Sequence, residues 1–107
     1  MLDFIMLPGF AKGWRKLKLG QTAFETLLSE LTENPEVGDV IPGSDGLRKL
    51  RIKLPGRGKR GGGRVIYAIF HLKTRVMLAA VYSKSEREDL TQDELRVLTK
   101  ARNELDQ

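Results

Sequence analysis

The chain reads as an α+β domain: two N-terminal helices packed on a mainly antiparallel sheet, with a C-terminal helix. Three observations predict this. Apolar residues recur at helical spacing up to Leu31, give way to strand-like runs between Lys49 and Tyr82, and return to helical spacing after Leu90. Proline and glycine dipeptides fall at the seams between those stretches. At 107 residues there is enough chain for one modest core and too little for two, so residues 1–107 are expected to form a single domain.

Each element follows from local chemistry. Leu2 to Leu7 is a short apolar strand that Pro8-Gly9 ends. Phe10, Trp14 and Leu17 then recur at helical spacing, with Lys12, Arg15, Lys16 and Lys18 on the other faces, and Gly20 bends the chain. A second helix places Ala23, Leu27, Leu28 and Leu31 on one stripe and stops at Asn34-Pro35, because the residue before a proline avoids the helical region. Glu36 to Gly46, rich in turn dipeptides, is expected to be loop. In Lys49 to Leu54 the period is two: Leu50, Ile52 and Leu54 face one side and Lys49, Arg51 and Lys53 the other. Pro55 to Gly63 is too rich in glycine for regular structure, Arg64 to Phe70 is a strong strand, and a short connection around His71 leads to the strand Val76 to Tyr82. That last strand is apolar on both faces and is expected to be central and covered. Thr91 and Glu94 have the spacing of a capping box and open the final helix.

Charge is the strongest functional signal. Between Gly46 and Ser85 stand eleven Lys or Arg residues and no Asp or Glu, whereas all 14 acids lie outside that stretch. The net charge of +5 therefore hides a segment of +11. Such clustering is costly through self-repulsion unless a polyanion offsets it, and in a domain this small the polyanion that fits is nucleic acid. The chain has no cysteine, which excludes disulfides and thiolate metal sites, and its single histidine, His71, argues against a zinc site. Metal-independent chemistry without a cofactor is the expectation. No apolar run is long enough to span a bilayer and no secretory leader pattern opens the chain, so a cytoplasmic, non-membrane protein is expected.

Three pieces could carry chemistry. Lys49, Arg51 and Lys53 on one strand face stand about 6.6 Å apart, near the spacing of successive phosphates; a lysine-guarded sheet edge is the other reading of the same pattern. In the stretch Pro55 to Arg64, five glycines alternate with Arg57, Lys59, Arg60 and Arg64, so backbone and cations can approach phosphate oxygens together. It is not a Walker loop, since the Lys-Ser/Thr ending is missing. Lys84 follows the last strand, where the sheet can bring it near Arg51, Lys53 and Arg64; a surface lysine at a strand end is the alternative. Clustered cations lower one another's pKa, so a lysine in such a cluster can serve as a base. His71 falls in an expected hairpin turn, and Trp14, Phe10, Phe24, Tyr67 and Tyr82 have packing as their commoner role. With no histidine to activate Ser83 or Ser85, a Ser-His-Asp mechanism is excluded.

The order of Asn34-Pro35-Glu36-Val37-Gly38-Asp39, Gly46-Leu47-Arg48-Lys49-Leu50-Arg51, the run Gly56 to Tyr67, and Tyr82-Ser83-Lys84-Ser85-Glu86-Arg87-Glu88-Asp89-Leu90 resembles the HigB-type branch of the RelE/ParE toxin superfamily, from about residue 25 to 100. The resemblance implies a RelE-like fold and a toxin of a type II toxin–antitoxin system, acting as a ribosome-dependent mRNA endoribonuclease. It implies mRNA on the ribosome as substrate and a HigA-like helix-turn-helix antitoxin, encoded adjacent, as partner; operator DNA is contacted only through the antitoxin complex. Catalytic roles carry over to Arg51, Lys53, Arg64 and Lys84, while Lys49 on the cationic strand face and Arg57, Lys59 and Arg60 in the glycine-rich stretch are expected, from their own charge pattern, to bind RNA or the ribosome. The archetype has an arginine where Ser85 stands and a tyrosine at roughly Thr91, so Lys84 carries more of the work here. The expected products are a 2′,3′-cyclic phosphate and a 5′-OH. A non-catalytic ParE-like gyrase poison, or an RNA- or ribosome-binding module of the same fold, is the competing class.

Overall fold

A computed structural model describes residues 2–56 and 62–106. Its elements are β1 (Asp3–Met6), α1 (Pro8–Lys16), α2 (Gly20–Glu33), β2 (Asp39–Val40), β3 (Arg48–Ile52), β4 (Gly63–Ile69), β5 (Arg75–Ser83) and α3 (Gln92–Leu105). The strands form one sheet in the order β1-β5-β4-β3-β2. β1 runs parallel to β5, and every other neighbouring pair is antiparallel.

Helices cover both faces. Phe10, Trp14, Leu27 and Leu31 of α1 and α2 pack on Leu50, Val65, Tyr67, Leu78 and Val81. Leu95 of α3 packs on the opposite face with Ile66, Ala68, Met77 and Tyr82. Both sides of β4 and β5 are thus buried, as their unbroken apolar runs require. Proline does double duty near the start: Pro8 ends β1 and also opens α1, because its missing N–H costs nothing in the first helical turn. α1 lies so close to the sheet that a β-carbon on Gly13 would stand 2.6 Å from the Val81 carbonyl oxygen. At the junction of α1 and α2, Lys18 and Gly20 take positive φ, and the Trp14 indole N–H donates to the Gly20 carbonyl at 3.0 Å.

Two anchors fix the surrounding segments. The Tyr67 hydroxyl donates to the Pro35 carbonyl (2.6 Å) and accepts from the Gly38 N–H (2.9 Å), tying the turn after α2 to the middle of the sheet. Gly38 belongs there: a β-carbon would meet the Tyr67 ring at 2.8 Å. At the other end, the Asp106 carboxylate accepts the His71 backbone N–H at 2.9 Å and Arg102 donates to the Ile69 carbonyl, so α3 is held to the β4–β5 turn. His71 is exposed in that turn.

Differences from the sequence expectation are local. Asp39–Val40, expected as loop, pairs with Lys49 and Arg48 as β2. β3 ends at Ile52, before Leu54, whose side chain nonetheless stays in the core. Among the described residues no helix is long and apolar enough to cross a membrane.

Candidate nucleic-acid interface

Antiparallel register decides which cations meet. Arg51 of β3 lies opposite Arg64 of β4, which lies opposite Tyr82 of β5. Directly opposed residues share a face, so the three form one row across the sheet, on the side that carries α3. Lys49 opposes Ile66 on the same face, one pleat repeat away. Lys53 and Lys84 each follow the last residue of their strand, β3 and β5, at the same end of the sheet. There the Lys84 N–H donates to the Gly62 carbonyl at 3.0 Å, extending the β4–β5 ladder by one step. Arg57, Lys59 and Arg60 lie outside the described residues. Gly56, where the loop begins, has a φ of +71°, a conformation that favours glycine.

The row and its flanking lysines differ in environment. Arg51 and Lys53 are exposed, and Lys84 is half-buried. Arg64 is only 5% exposed, and its Nη1–H donates to the Gly63 carbonyl at 3.1 Å. No acid pairs with it among the described residues. A guanidinium has five N–H donors, so Arg64 keeps donor capacity for an anion. Tyr82 is 8% exposed, and its buried hydroxyl has no partner among the described residues. Burial pushes the Tyr82 phenol above its ordinary pKa, reinforced by Asp89 and opposed by Arg87 and Arg64.

The contacts by which the segment after β5 braces this row were not evident in the sequence. Arg87 lies with its guanidinium carbon 5.4 Å from the centre of the Tyr82 ring and forms an ion pair with Glu94. Glu94 also accepts the Thr91 backbone N–H at 2.8 Å while the Thr91 hydroxyl accepts the Glu94 N–H, completing the expected capping box. The Arg87 guanidinium, helped by the Thr91 N–H, holds the Glu94 carboxyl down to about 2. Thr91 is thus occupied as a helix cap. Lys49 has a partner too: its ammonium is 2.9 Å from Asp89. Arg87 gives no signal in the sequence because it stands just outside the acid-free segment, and Asp89 gives none because its partner is 40 residues away.

A five-stranded sheet with a helix layer on each face, crossed by the row Arg51, Arg64 and Tyr82, defines a small α+β protein with a cationic face. The family matched is the RelE toxin of the RelE/RelB toxin–antitoxin system, over residues 9–107. Among solved structures, the chain is similar to an arginine-to-alanine double variant of the Escherichia coli toxin RelE in the free state, at a TM-score of 0.57 and 25% identity, covering 94% of this chain and 96% of that one. It is similar to the intact E. coli RelBE toxin–antitoxin complex at a TM-score of 0.52 and 29% identity, over 76% of this chain and 94% of that one. The isolated E. coli RelE toxin matches in fold, at a TM-score of 0.57 and 20% identity, over 94% and 99% of the two chains. The chain belongs to the RelE toxin family. It is a toxin of a type II toxin–antitoxin system with an mRNA-cleaving role.

Proposed function

We propose that the toxin is a ribosome-dependent endoribonuclease of the HigB type that cuts translated mRNA without a metal ion. The observation that carries this reading is the register: Arg51 and Arg64 share one row, and Lys53 and Lys84 flank it at the same end of the sheet. Cleavage begins when a lysine, Lys53 or Lys84, takes the proton of the ribose 2′-OH. The O2′–P bond forms, and negative charge gathers on the phosphorane oxygens. Arg64 and Arg51 stabilise that charge; both are suited to it because an arginine stays protonated and offers a forked set of donors. The P–O5′ bond then breaks and the leaving oxygen takes a proton from Arg51, which serves as second clamp or as acid, giving a 2′,3′-cyclic phosphate and a 5′-OH. Lys49, Arg57, Lys59 and Arg60 hold mRNA or ribosomal RNA backbone. A HigA-like helix-turn-helix antitoxin, encoded adjacent, neutralises the toxin in the cytoplasm, and operator DNA is bound only through that complex.

Ribosome dependence follows from what the site lacks. A lysine–arginine cluster with no histidine is a poor proton-transfer device for flexible RNA, so the in-line geometry must come from outside, and orientation contributes about 7–11 kcal/mol to such reactions. Purified toxin is expected to leave naked RNA intact and to cut inside codons once translating ribosomes are supplied. Rapid catalytic cleavage of RNA by the protein alone would overturn the ribosome requirement. No cleavage even with translating ribosomes would overturn the ribonuclease reading.

A further inference from the structure

A cavity of about 440 Å³ beside the arginine row shares only Lys49 with the contacts proposed above. Ile66, Tyr82, Leu90 and Pro42 line it together with the bonded pair Lys49 and Asp89. It therefore combines apolar and aromatic surface with one cationic donor, Lys49, and two carboxylates, Asp39 and Asp89, of which Asp89 is the one bonded to Lys49. Its place relative to the row is set by the sheet. Lys49 lies two residues before Arg51 on β3, and Ile66 two residues after Arg64 on β4. The cavity thus begins one pleat repeat, about 6.6–6.8 Å, from the arginines. One ribose spans a comparable reach between a phosphate and its base. Tyr82 belongs to both the row and the cavity lining, and its hydroxyl, in a residue only 8% exposed, is left without a partner among the described residues.

We propose that this cavity receives an unstacked base of the RNA held at the arginine row, and that Asp89 selects amino-bearing bases over uracil. The inference rests on the ribonuclease reading. Sequence-specific recognition of single-stranded RNA works on splayed bases laid against aromatic or apolar side chains, with their edges open to hydrogen bonds. Adenine, cytosine and guanine each present an exocyclic amino group that can donate to a carboxylate, while Lys49 donates to the ring nitrogen or carbonyl beside it. Uracil presents its one edge N–H between two carbonyl oxygens, so a carboxylate that reaches the N–H also meets an oxygen lone pair. The Lys49–Asp89 pair can be shared with a ligand: its side chains are 36% and 65% exposed, and an exposed ion pair holds its members weakly.

The test is a map of 5′ ends on mRNA cleaved in a translating extract, comparing wild type with Asp89→Asn. The readout is the ratio of uracil to the other three bases at each position flanking the cut, which does not depend on overall rate. Wild type is expected to show one flanking position depleted of uracil. Asp89→Asn, whose amide can donate to a uracil carbonyl, should raise uracil there about tenfold. Asp89→Glu keeps a carboxylate and should keep the depletion. Lys49→Gln, which removes the donor, is the second variant and should shift the base ratio at the same position if Asp89→Asn folds poorly. A spectrum that neither substitution alters would overturn the proposal. If the spectrum holds but Asp89→Asn weakens antitoxin binding, the cavity belongs to the protein partner and the proposal is likewise wrong. Absence of any ribosome-dependent cleavage by wild type is a different failure: it sinks the ribonuclease reading itself, and the base pocket with it.

Discussion

Replacing Arg64 with methionine should separate stability from activity. Arg64 is 5% exposed, makes one hydrogen bond to a backbone carbonyl, and has no carboxylate partner among the described residues. Burying a cation so incompletely paired costs free energy, and an apolar residue of similar length removes that cost while filling most of the same volume. The Arg64→Met protein should therefore be as stable as wild type or more stable by about 1–2 kcal/mol, a rise in melting temperature of about 4–8 °C per kcal/mol in a domain of this size. Its cleavage rate should fall about 10²–10³-fold, the usual loss when one donor to a developing oxyanion is removed. Arg64→Lys should fall between, because an ammonium restores the charge but not the fork. Thermal melts and a single-turnover assay on ribosome-bound mRNA measure the two quantities on the same preparations. Two results would refute the reasoning. A methionine variant that melts well below wild type would make Arg64 a structural strut, and one that is folded and cuts at the wild-type rate would remove it from the site.

Other perturbations have equally definite outcomes. Glu94→Gln should cost about 0.5–1 kcal/mol at neutral pH, because the Glu94–Arg87 pair is partly solvated and glutamine can still complete the capping box. Since folding lowers the Glu94 pKa to about 2, that advantage of wild type is complete above the unfolded value, about 4.3, and disappears as pH falls toward 2, which acid titration of both proteins by circular dichroism measures. Gly13→Ala should destabilise by about 1–2 kcal/mol in thermal or urea melts despite alanine's better helix propensity, since the new methyl meets the Val81 carbonyl and Cγ1 at 2.6 and 2.9 Å. Changing Arg57, Lys59 and Arg60 together to glutamine should weaken ribosome binding at low salt and flatten its salt dependence, by about 0.7–0.9 in slope for each phosphate no longer neutralised; binding unchanged across salt concentrations would make the loop a solvated turn.

Much of this architecture was legible because it depends on neighbours in sequence. Asn34-Pro35 stops α2 through a local steric clash, Thr91 and Glu94 cap α3 three residues apart, and alternation along β3 separates Leu50 and Ile52 from Lys49 and Arg51. What was not legible depends on pairing across distance. Nothing in Asp3–Met6 says that its partner is β5 or that the two run parallel, and two residues of β2 are too few to show a period. The site divides along the same line. The cations were visible as composition, but only register puts Arg51, Arg64 and Tyr82 in one row. Arg87 against Tyr82, and Asp89 against Lys49, exist only because the chain turns back over the sheet after Ser83.

The row itself explains why the charge is arranged as it is. Arg51 and Arg64 are directly opposed on adjacent strands, and like charges in that position destabilise a sheet by about 0.2–1 kcal/mol. A sequence selected for stability alone would place an acid at one of them, and acids are plentiful on either side of the segment. Instead, acids are absent from Gly46 to Ser85, and the cations that do acquire partners find them beyond its boundary: Lys49 at Asp89, and Arg87, itself outside, at Glu94. Those pairs shape the rim, whereas the two arginines of the row have no acid opposite them. α3 completes the division. Leu95 buries the apolar part of this face around Ile66 and Met77, while Arg51 at the other end of the row remains exposed. A phosphate between Arg51 and Arg64 would turn the repulsion into attraction. On the proposed ribonuclease reading, the same register that weakens the free protein would strengthen its hold on a charge that grows during phosphoryl transfer.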